Sequence, residues 1–139
     1  MRALLLVVGF LWVQDALGQL TMFRSPKDSI VINGISVYGK LTDQQTRCAH
    51  WHSQLDIIAI KFKCCNRYYP CYSCHAETTT HPAQVWPKSE FATKAILCGV
   101  CGTELGISEY MKCNNTCPKC KSAFNPGCSK HYHLYFEVP

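Results

Sequence analysis

The sequence predicts a small domain of short strands and loops, with little helix, that is stabilised by bound metal more than by a large apolar core. Three observations lead to this prediction. The chain has 139 residues, so its core is thin. It contains 11 cysteines and 6 histidines, many of them at the spacings of metal ligands. Its prolines interrupt long regular elements, at Pro70, Pro82, Pro87, Pro118 and Pro126.

The first 34 residues are predicted to lie outside this domain. Arg2 precedes an apolar run from Ala3 to Val13 and the small residues of ALG at 16–18, a pattern typical of a secretory signal peptide. The run is shorter than the roughly 20 residues that span a bilayer, so stable membrane insertion is not expected. A misassigned start or an amphipathic leader would explain the same residues. We interpret 1–18 as a signal-peptide-like leader, 19–34 as a linker and 35–139 as the zinc-binding domain.

The clearest metal signal is a pair of CxxC motifs. Cys98 and Cys101 form the first motif, Cys117 and Cys120 form the second, and fifteen residues separate them. This spacing is typical of a four-cysteine zinc site. Two residues between cysteines let a tight turn direct both thiolates to one tetrahedral ion at about 2.3 Å. Gly102 follows the first motif, where such a zinc knuckle requires a positive φ.

A denser cluster upstream contains eight further ligand candidates, enough for two more ions. The simplest partition assigns Cys48, His50, Cys71 and Cys74 to one ion and Cys64, Cys65, His75 and His81 to the other. An interleaved partition stays open, because neighbouring side chains in an extended segment point to opposite faces. With the four-cysteine site, the sequence predicts three structural zinc ions.

Two other chemistries fit parts of this cluster. Residues 71–75 read CYSCH, the pattern of covalent haem attachment, but haem would leave nine cysteines unexplained. Disulfides would suit a secreted protein, yet 11 is an odd number and the interleaved histidines would have no role. Four residues are candidates for a fourth, more labile metal position or for packing alone: Cys113, Cys128, His131 and His133. His52 is expected to contribute to packing.

Charge and motif content exclude two classes of function. The formal net charge is +5, but the 14 Lys and Arg are scattered, so no nucleic-acid partner is expected. Nine bound thiolates (−9) and three zinc ions (+6) would lower that charge further, to +2. Each predicted zinc site is filled by four protein ligands, the structural pattern, and no separate nucleophile or paired carboxylates accompany it. We therefore expect no enzymatic activity.

Three segments are predicted as strands and one as a helical turn. Asp56–Phe62 and Lys94–Leu97 lead into cysteine ligands, and His133–Val138 alternates between polar and apolar residues. Ser108–Lys112 fits one helical turn, with Ser108 or Thr103 as its N-cap. Core positions are assigned to Trp51, Tyr68, Tyr69, Trp86, Phe91 and Phe124.

The order of the ligands, CxH, CC, CxxCH, H, CxxC and CxxC, resembles that of the CHY-type zinc finger. Longer segments, including DIIAIKFKCC, HPAQVWP and NPGCSKHYHLYF, are similar to the fungal helper of Tim family of the mitochondrial intermembrane space, over roughly residues 35–136. Trp51 stands at the third position of the CHY name, a departure that touches no ligand. The resemblance implies three zinc ions held by Cys48, His50, Cys64, Cys65, Cys71, Cys74, His75, His81, Cys98, Cys101, Cys117 and Cys120.

The resemblance also implies a function. Members of this family are understood to keep the oxidoreductase of the intermembrane-space disulfide relay free of zinc, and thereby to assist assembly of the small Tim chaperones. The expected partner is this import oxidoreductase, and the expected location is the intermembrane space. The leader would instead favour the secretory pathway, where the sequon at Asn114 would carry a glycan.

Two alternative functions belong to other classes. One is a zinc-scaffolded protein–protein interaction module with no role in zinc transfer. The other is ubiquitin ligation, by analogy with CHY-containing ligases. Ligation would require a RING with eight ligands of its own, for which the remaining cysteines and histidines are too few.

Overall fold

The computed structural model describes residues 27–139, and the predicted leader and residues 19–26 lie outside them. Within the described part, six strands form one sheet in the order β1-β2-β4-β3-β5-β6. The strands are β1 (Lys27–Ile32), β2 (Ile35–Leu41), β3 (Ile58–Phe62), β4 (Arg67–Tyr69), β5 (Lys94–Cys98) and β6 (Glu104–Gly106). The helices are α1 (Tyr72–Thr78), α2 (Ile107–Lys112) and two 3-10 segments, Lys88–Glu90 and Pro126–Leu134. None of the helices in this part of the chain has the length and apolar character needed to cross a bilayer.

The first hairpin corrects the predicted domain boundary. β1 pairs antiparallel with β2, although the sequence analysis places residues 19–34 in a linker. Asn33 and Gly34 connect the strands with φ values of +48° and +81°, the left-handed pair that a two-residue hairpin turn requires. Ile30 and Ile32 are buried in a cluster with residues of β2. The domain therefore includes β1, because the Asn-Gly turn folds its apolar side chains back onto the sheet.

The sheet buries side chains on both faces, which divides the core into two clusters. The smaller cluster contains Ile30, Ile32, Val37, Leu41, Ala59, Tyr68 and Leu97. The larger cluster contains the alternate residues of the central strands, Ile58, Ile60, Phe62 and Ile96, and five of the predicted cysteine ligands. The predicted strands Asp56–Phe62 and Lys94–Leu97 are confirmed as β3 and β5.

The helical turn predicted at Ser108–Lys112 is present as α2, but its cap differs from the prediction. Gly106 is the N-cap, and its N–H donates to Glu109 Oε2 at 3.1 Å. Neither Ser108 nor Thr103 caps the helix, because the chain enters α2 directly from β6.

The prediction of a strand at His133–Val138 is wrong. Pro126–Leu134 forms a 3-10 helix, and Phe136 then makes an isolated bridge to Trp86. Tyr135 and Phe136 are consecutive, and both are buried, at 9% and 1% exposure. A strand with one solvated face would bury only alternate residues.

Trp51 is the exception among the aromatic residues assigned to the core. Tyr68, Tyr69, Trp86 and Phe124 are buried as predicted, and Phe91 is half-buried against the larger cluster. Trp51 is 47% exposed, and its ring lies 5.4 Å from the His131 ring. It therefore belongs to the surface.

Candidate metal centres

The structure brings the twelve predicted ligands together in three groups of four. The first group is Cys48, His50, Cys71 and Cys74; the second is Cys64, Cys65, His75 and His81; the third is Cys98, Cys101, Cys117 and Cys120. Within each group, the candidate donor atoms all lie within 4.8 Å of one another. This arrangement is the simplest of the partitions that the sequence leaves open.

The spacing of the donor atoms fits tetrahedral zinc. With Zn–S bonds of about 2.3 Å, neighbouring sulfurs of a tetrahedron are about 3.8 Å apart, whereas bonded disulfide sulfurs are about 2.05 Å apart. The sulfurs are 3.8 Å apart in three pairs: Cys48 with Cys71, Cys98 with Cys120, and Cys101 with Cys117. All eleven cysteines are free. The donor geometry therefore suits a metal ion and not a disulfide.

The first group is assembled by the start of helix α1 and by the turn after β2. Cys71 is the N-cap of α1, and its sulfur accepts the N–H of Cys74 at 3.4 Å. Cys48 accepts the N–H of Trp51 at 3.3 Å. Backbone donors of this kind ease the negative charge of thiolate ligands. These hydrogen bonds hold Cys48 and Cys71 in place with or without a shared ion.

The three sulfurs of the first group also influence one another's ionisation. Hydrogen bonds with the Cys71 and Cys74 sulfurs lower the pKa of Cys48 to about 2. The contact with Cys48 raises the pKa of Cys71. The cluster thus favours one thiolate and opposes further ones. A divalent cation would remove this opposition, because it stabilises every thiolate that it contacts.

His50 is oriented by a carboxylate that sequence reasoning missed. Its Nδ1 atom lies 3.5 Å from Cys71 Sγ and 3.4 Å from Cys74 Sγ, and its Nε2 atom lies 2.9 Å from Glu77 Oε1. Glu77 also pairs with Lys40 at 2.7 Å. Although burial opposes it, the hydrogen bond to Glu77 raises the pKa of His50. A carboxylate that fixes the tautomer of a ligating histidine is a common partner at zinc sites.

A sequence signal for Glu77 does exist. Glu77 follows Cys74 by three residues, so in a helix the two share a face. This spacing identifies Glu77 as a neighbour of the ligands only if the segment is helical, and no helix is predicted here from the sequence.

The second group is built around the turn between β3 and β4. Cys64 and Cys65 lie two and three residues after the end of β3, and Asn66 closes the turn with a φ of +55°. The turn brings both sulfurs to one side, 3.9 Å apart. The sequence left open that Cys64 and Cys65 bind different ions, because neighbouring side chains of an extended backbone point to opposite faces. The backbone forms a turn here, so that argument does not apply.

His75 is the buried ligand of the second group. Phe62 stacks on its ring at 4.2 Å with an interplanar angle of 7°, and Tyr69 meets it edge-on at 5.0 Å. Its Nε2 atom lies 3.2 Å from Cys64 Sγ. Burial and the neighbouring His81 lower the pKa of His75, which favours the neutral imidazole that binds metal. The CYSCH motif is therefore divided, because its cysteines belong to the first group and its histidine to the second.

The third group consists of two zinc-knuckle turns. Gly102 has a φ of +71°, as predicted, and its N–H donates to the Cys98 carbonyl at 2.8 Å. In the second turn, Lys121 has a φ of +65° and donates to the Cys117 carbonyl at 3.0 Å. The two turns place their cysteine pairs opposite each other.

Hydroxyl groups lie beside two sulfurs of the third group. Thr103 Oγ1 is 3.1 Å from Cys101 Sγ, and Ser122 Oγ is 3.3 Å from Cys120 Sγ. Burial opposes ionisation of Cys120, but hydrogen bonds with Ser122 and with the Cys101 and Cys117 sulfurs together lower its pKa to about 6. In these contacts the thiols donate to the hydroxyl oxygens; once deprotonated, each sulfur would accept a hydrogen bond from the same hydroxyl, which stabilises the ligand form.

The four remaining candidates do not form a fourth metal group within residues 27–139. Cys113 is half-buried at the C-cap of α2, and burial raises the pKa of Cys128. His131 contacts Trp51, and His133 is exposed. His52, expected to pack, is exposed as well.

Comparison with known proteins agrees with this arrangement. A family model described as the CHY zinc finger matches residues 48–132, which include all twelve ligands. The chain belongs to the CHY zinc finger family. The predicted fold class and cofactor are confirmed: this is a zinc-stabilised domain of strands with few helices, and its three Cys/His groups are consistent with three zinc ions. Coordination by each of the twelve side chains stays a prediction.

Several fungal relatives resemble this member of the CHY zinc finger family over most of their length. Helper of Tim protein 13 of Saccharomyces cerevisiae is 50% identical over 107 residues, which cover 75% of this chain and 92% of the relative. Helper of Tim protein 13 of Kluyveromyces lactis is 46% identical over 100 residues, 72% of this chain and 87% of the relative. An uncharacterized protein of Schizosaccharomyces pombe is 41% identical over 102 residues, 73% of this chain and 89% of the relative.

Proposed function

We propose that this protein accepts zinc in the mitochondrial intermembrane space and keeps the reduced oxidoreductase of the disulfide relay free of zinc. It would thereby assist assembly of the small Tim chaperones. The observation that carries this proposal is the presence of three four-donor Cys/His groups in a chain that is 50% identical to Helper of Tim protein 13 of S. cerevisiae. That name also supports a location in the mitochondrion and a partner from protein import.

The chemistry of the disulfide relay explains why a zinc acceptor is useful. A thiolate is both the nucleophile of disulfide exchange and a ligand that zinc binds tightly. An oxidoreductase whose active cysteines hold zinc cannot attack a disulfide or be reoxidised. Removal of the ion restores the free thiolates, so an acceptor with thiolate-rich sites promotes the relay without forming disulfides itself.

A non-enzymatic role agrees with the donor count. Each group supplies four protein donors to one ion, which leaves no open position for water or substrate. Catalytic zinc sites keep such a position. We therefore propose that the ions are structural or are cargo, and that the protein does not catalyse a reaction.

The test is zinc transfer between purified proteins. The metal-free protein is mixed with the reduced, zinc-loaded relay oxidoreductase, and native mass spectrometry counts the zinc on each protein. The protein already loaded with three zinc ions serves as the control, because it has no vacant group. We expect zinc to move to the metal-free protein and the thiol reactivity of the oxidoreductase to return. Retention of all zinc by the oxidoreductase, at any excess of acceptor, would overturn the proposal.

The location is tested by the state of Asn114. This residue is exposed, with a φ of +52°, and lies directly after Cys113. In the intermembrane space no glycan is attached, so the peptide that contains Asn114 is expected unmodified in protein from cells. Release of the chain upon rupture of the outer mitochondrial membrane provides the second readout. A glycosylated Asn114 would place the protein in the secretory pathway instead.

A cleft on the surface favours a second candidate, the interaction module. The cleft has a volume of about 260 Å³ and is lined largely by apolar and aromatic side chains, with exposed Trp51 among them. The Thr46 hydroxyl is buried beside it and has no hydrogen-bond partner among residues 27–139. An aromatic side chain of a partner protein would suit the apolar lining of this cleft. Binding of the oxidoreductase with no change in its zinc content, and loss of binding in Trp51→Ala, would favour this function.

A further inference from the structure

We propose that the second group, Cys64, Cys65, His75 and His81, is the position at which this protein exchanges zinc with a thiolate-bearing partner, while the first and third groups keep their ions. The inference rests on the proposed function and specifies where the transferred ion enters and leaves. In this role the second-group ion is cargo, whereas the other two ions hold the fold.

The groups differ in how far solvent reaches their ligands. In the first group, Cys48, Cys71 and Cys74 are at most 4% exposed. The third group has two buried and two half-buried cysteines. In the second group, only His75 is buried, both cysteines are half-buried and His81 is exposed. His81 is therefore the one exposed side chain among the twelve ligands.

The ligands also differ in how firmly other residues hold them. His50 is fixed by Glu77, and the sulfurs of the third group lie in tight knuckle turns beside hydroxyl groups. The His81 ring has no hydrogen-bond partner in the described part of the chain, and its neighbour is the His75 ring at 5.1 Å, edge-on. Its backbone belongs to the irregular segment between α1 and Trp86. This ligand therefore leaves the group at the lowest cost.

An open cleft leads to this exposed side of the second group. It has a volume of about 370 Å³, and Cys65 and His81 form part of its lining. Arg67 lines the same cleft, where its guanidinium lies 5.3 Å from the Tyr38 ring. The arginine presents positive charge to whatever enters, which favours an anionic thiolate over a neutral donor.

The exchange itself is a stepwise substitution of ligands without redox change. A partner thiolate enters through the cleft and takes the place of His81, which departs as a neutral imidazole, and the remaining ligands are replaced in turn. Uptake follows the reverse order. Cys64 and Cys65 release their protons to solvent as they bind the ion, and the partner's cysteines are freed as thiolates. Zinc stays divalent throughout, so no oxidant or reductant is needed.

The cleft of about 260 Å³ beside the first group is the competing route, because Cys48 and Cys71 contribute to its lining. Both cysteines are nearly inaccessible, and the histidine of that group is tied to Glu77. Entry from this side would require a buried thiolate to depart first. The observations therefore favour the second group, and the experiment below separates the two.

The experiment measures isotope exchange on the full chain. Protein loaded with three zinc ions of natural abundance is mixed with a two-cysteine peptide that carries ⁶⁸Zn, and native mass spectrometry follows the label. We expect one ion to exchange quickly and two slowly. Alkylation after brief chelation should then modify Cys64 and Cys65 before any other ligand, which identifies the emptied group independently of the rate.

Matched variants assign the fast ion. His81→Cys keeps four donors but replaces the exposed imidazole with a thiolate. Exchange of the fast ion should then slow about tenfold or more, because a modestly higher barrier has an effect of this size on a rate. His50→Cys makes the same substitution in the first group and should leave the exchange rate of the fast ion unchanged. Arg67→Gln should slow the exchange at low ionic strength only, because about 1 M salt reduces the Debye length to about 3 Å. Retention of three ions by each variant shows that it is folded.

Three outcomes would overturn the inference: equal exchange of all three ions, an unchanged fast ion in His81→Cys, or slowing by His50→Cys instead. Each of these leaves the proposed function intact if zinc still moves from the relay oxidoreductase. Conversely, a fast second-group ion with no uptake from the oxidoreductase would contradict the proposed function and not the location of exchange.

Discussion

Gly102 joins the third metal group to the first hairpin, and its replacement by alanine tests how tightly the two are coupled. A Cβ atom at this position would overlap Asn33 Cβ and would lie 3.3 Å from Ile32 Cγ2. The contact with Asn33 is shorter than real Cβ contacts, so the hairpin turn or the zinc knuckle has to move. We expect Gly102→Ala to destabilise both at once.

The magnitude has two parts. A left-handed backbone costs alanine about 1–2 kcal/mol, and an overpacked contact in a well-packed region adds about 1–3 kcal/mol. Gly34→Ala is the matched control, because Gly34 has a φ of +81° but no atom within 4 Å of its would-be Cβ. Gly34→Ala should therefore lose only the stability that the left-handed backbone costs, about 1–2 kcal/mol. The difference between the two variants, about 1–3 kcal/mol, is the cost of the clash.

Urea unfolding in a buffer that fixes the free zinc concentration measures this difference. The zinc concentration has to be held constant because binding of zinc to the folded state raises the apparent stability. Native mass spectrometry of the same samples shows whether the third group keeps its ion. Equal losses of stability in Gly102→Ala and Gly34→Ala would refute the argument that the knuckle packs against the hairpin.

Three further predictions concern single side chains. Glu77→Gln should weaken zinc binding at the first group about 10- to 100-fold in a chelator titration, because His50 loses its charged partner, and unchanged affinity would contradict this role. Tyr68→Phe should lower the free energy of unfolding by about 1.5–3 kcal/mol, because the Tyr68 hydroxyl donates to Glu104 at 2.6 Å. That hydrogen bond lowers the pKa of Glu104 from 4.5, so its contribution is complete above that value and is lost only as pH falls through the lowered pKa. The deficit of Tyr68→Phe should therefore be constant across neutral pH, and a deficit that changes there would exclude the assignment. Cys113→Ser should leave the zinc count at three, and a lower count would reveal a ligand outside the three groups.

The two cysteines of each CxxC motif could be predicted from the sequence to serve one ion, because that pairing depends on short-range geometry, whereas the partition of the eight upstream ligands stayed open. Two residues between Cys98 and Cys101 allow a single tight turn, and that turn aims both sulfurs the same way without help from the rest of the fold. The positive φ of Gly102 follows from the same local requirement. The strand that ends at Cys98 was equally visible, because its apolar residues are contiguous and stop at a ligand.

The features that sequence reasoning missed depend on contacts between distant residues or on a local signal that was overlooked. The pair Asn33 and Gly34 is a sequence signal for the hairpin turn after β1. The segment contains no metal ligand, which favoured its interpretation as a linker. The carboxylate of Glu77 becomes a partner of His50 only once α1 brings together residues 27 positions apart. The alternation in His133–Val138 suggested a strand, yet the Trp86 bridge and burial of both Tyr135 and Phe136 impose an irregular path.

Zinc exchange at the second group requires that the fold survive departure of its ion, and the packing around His75 meets this requirement. The ring is held between Phe62 and Tyr69 by contacts that need no metal. The turn that carries the two cysteines is held by the backbone, where the N–H of Asn66 donates to the Phe62 carbonyl at 2.8 Å. Three of the four ligands therefore stay in place when the ion leaves, and only His81 has to return. Phe62→Leu would remove the ring that stacks on His75 and would loosen the imidazole. The emptied second group should then bind zinc more slowly, although all four ligands remain.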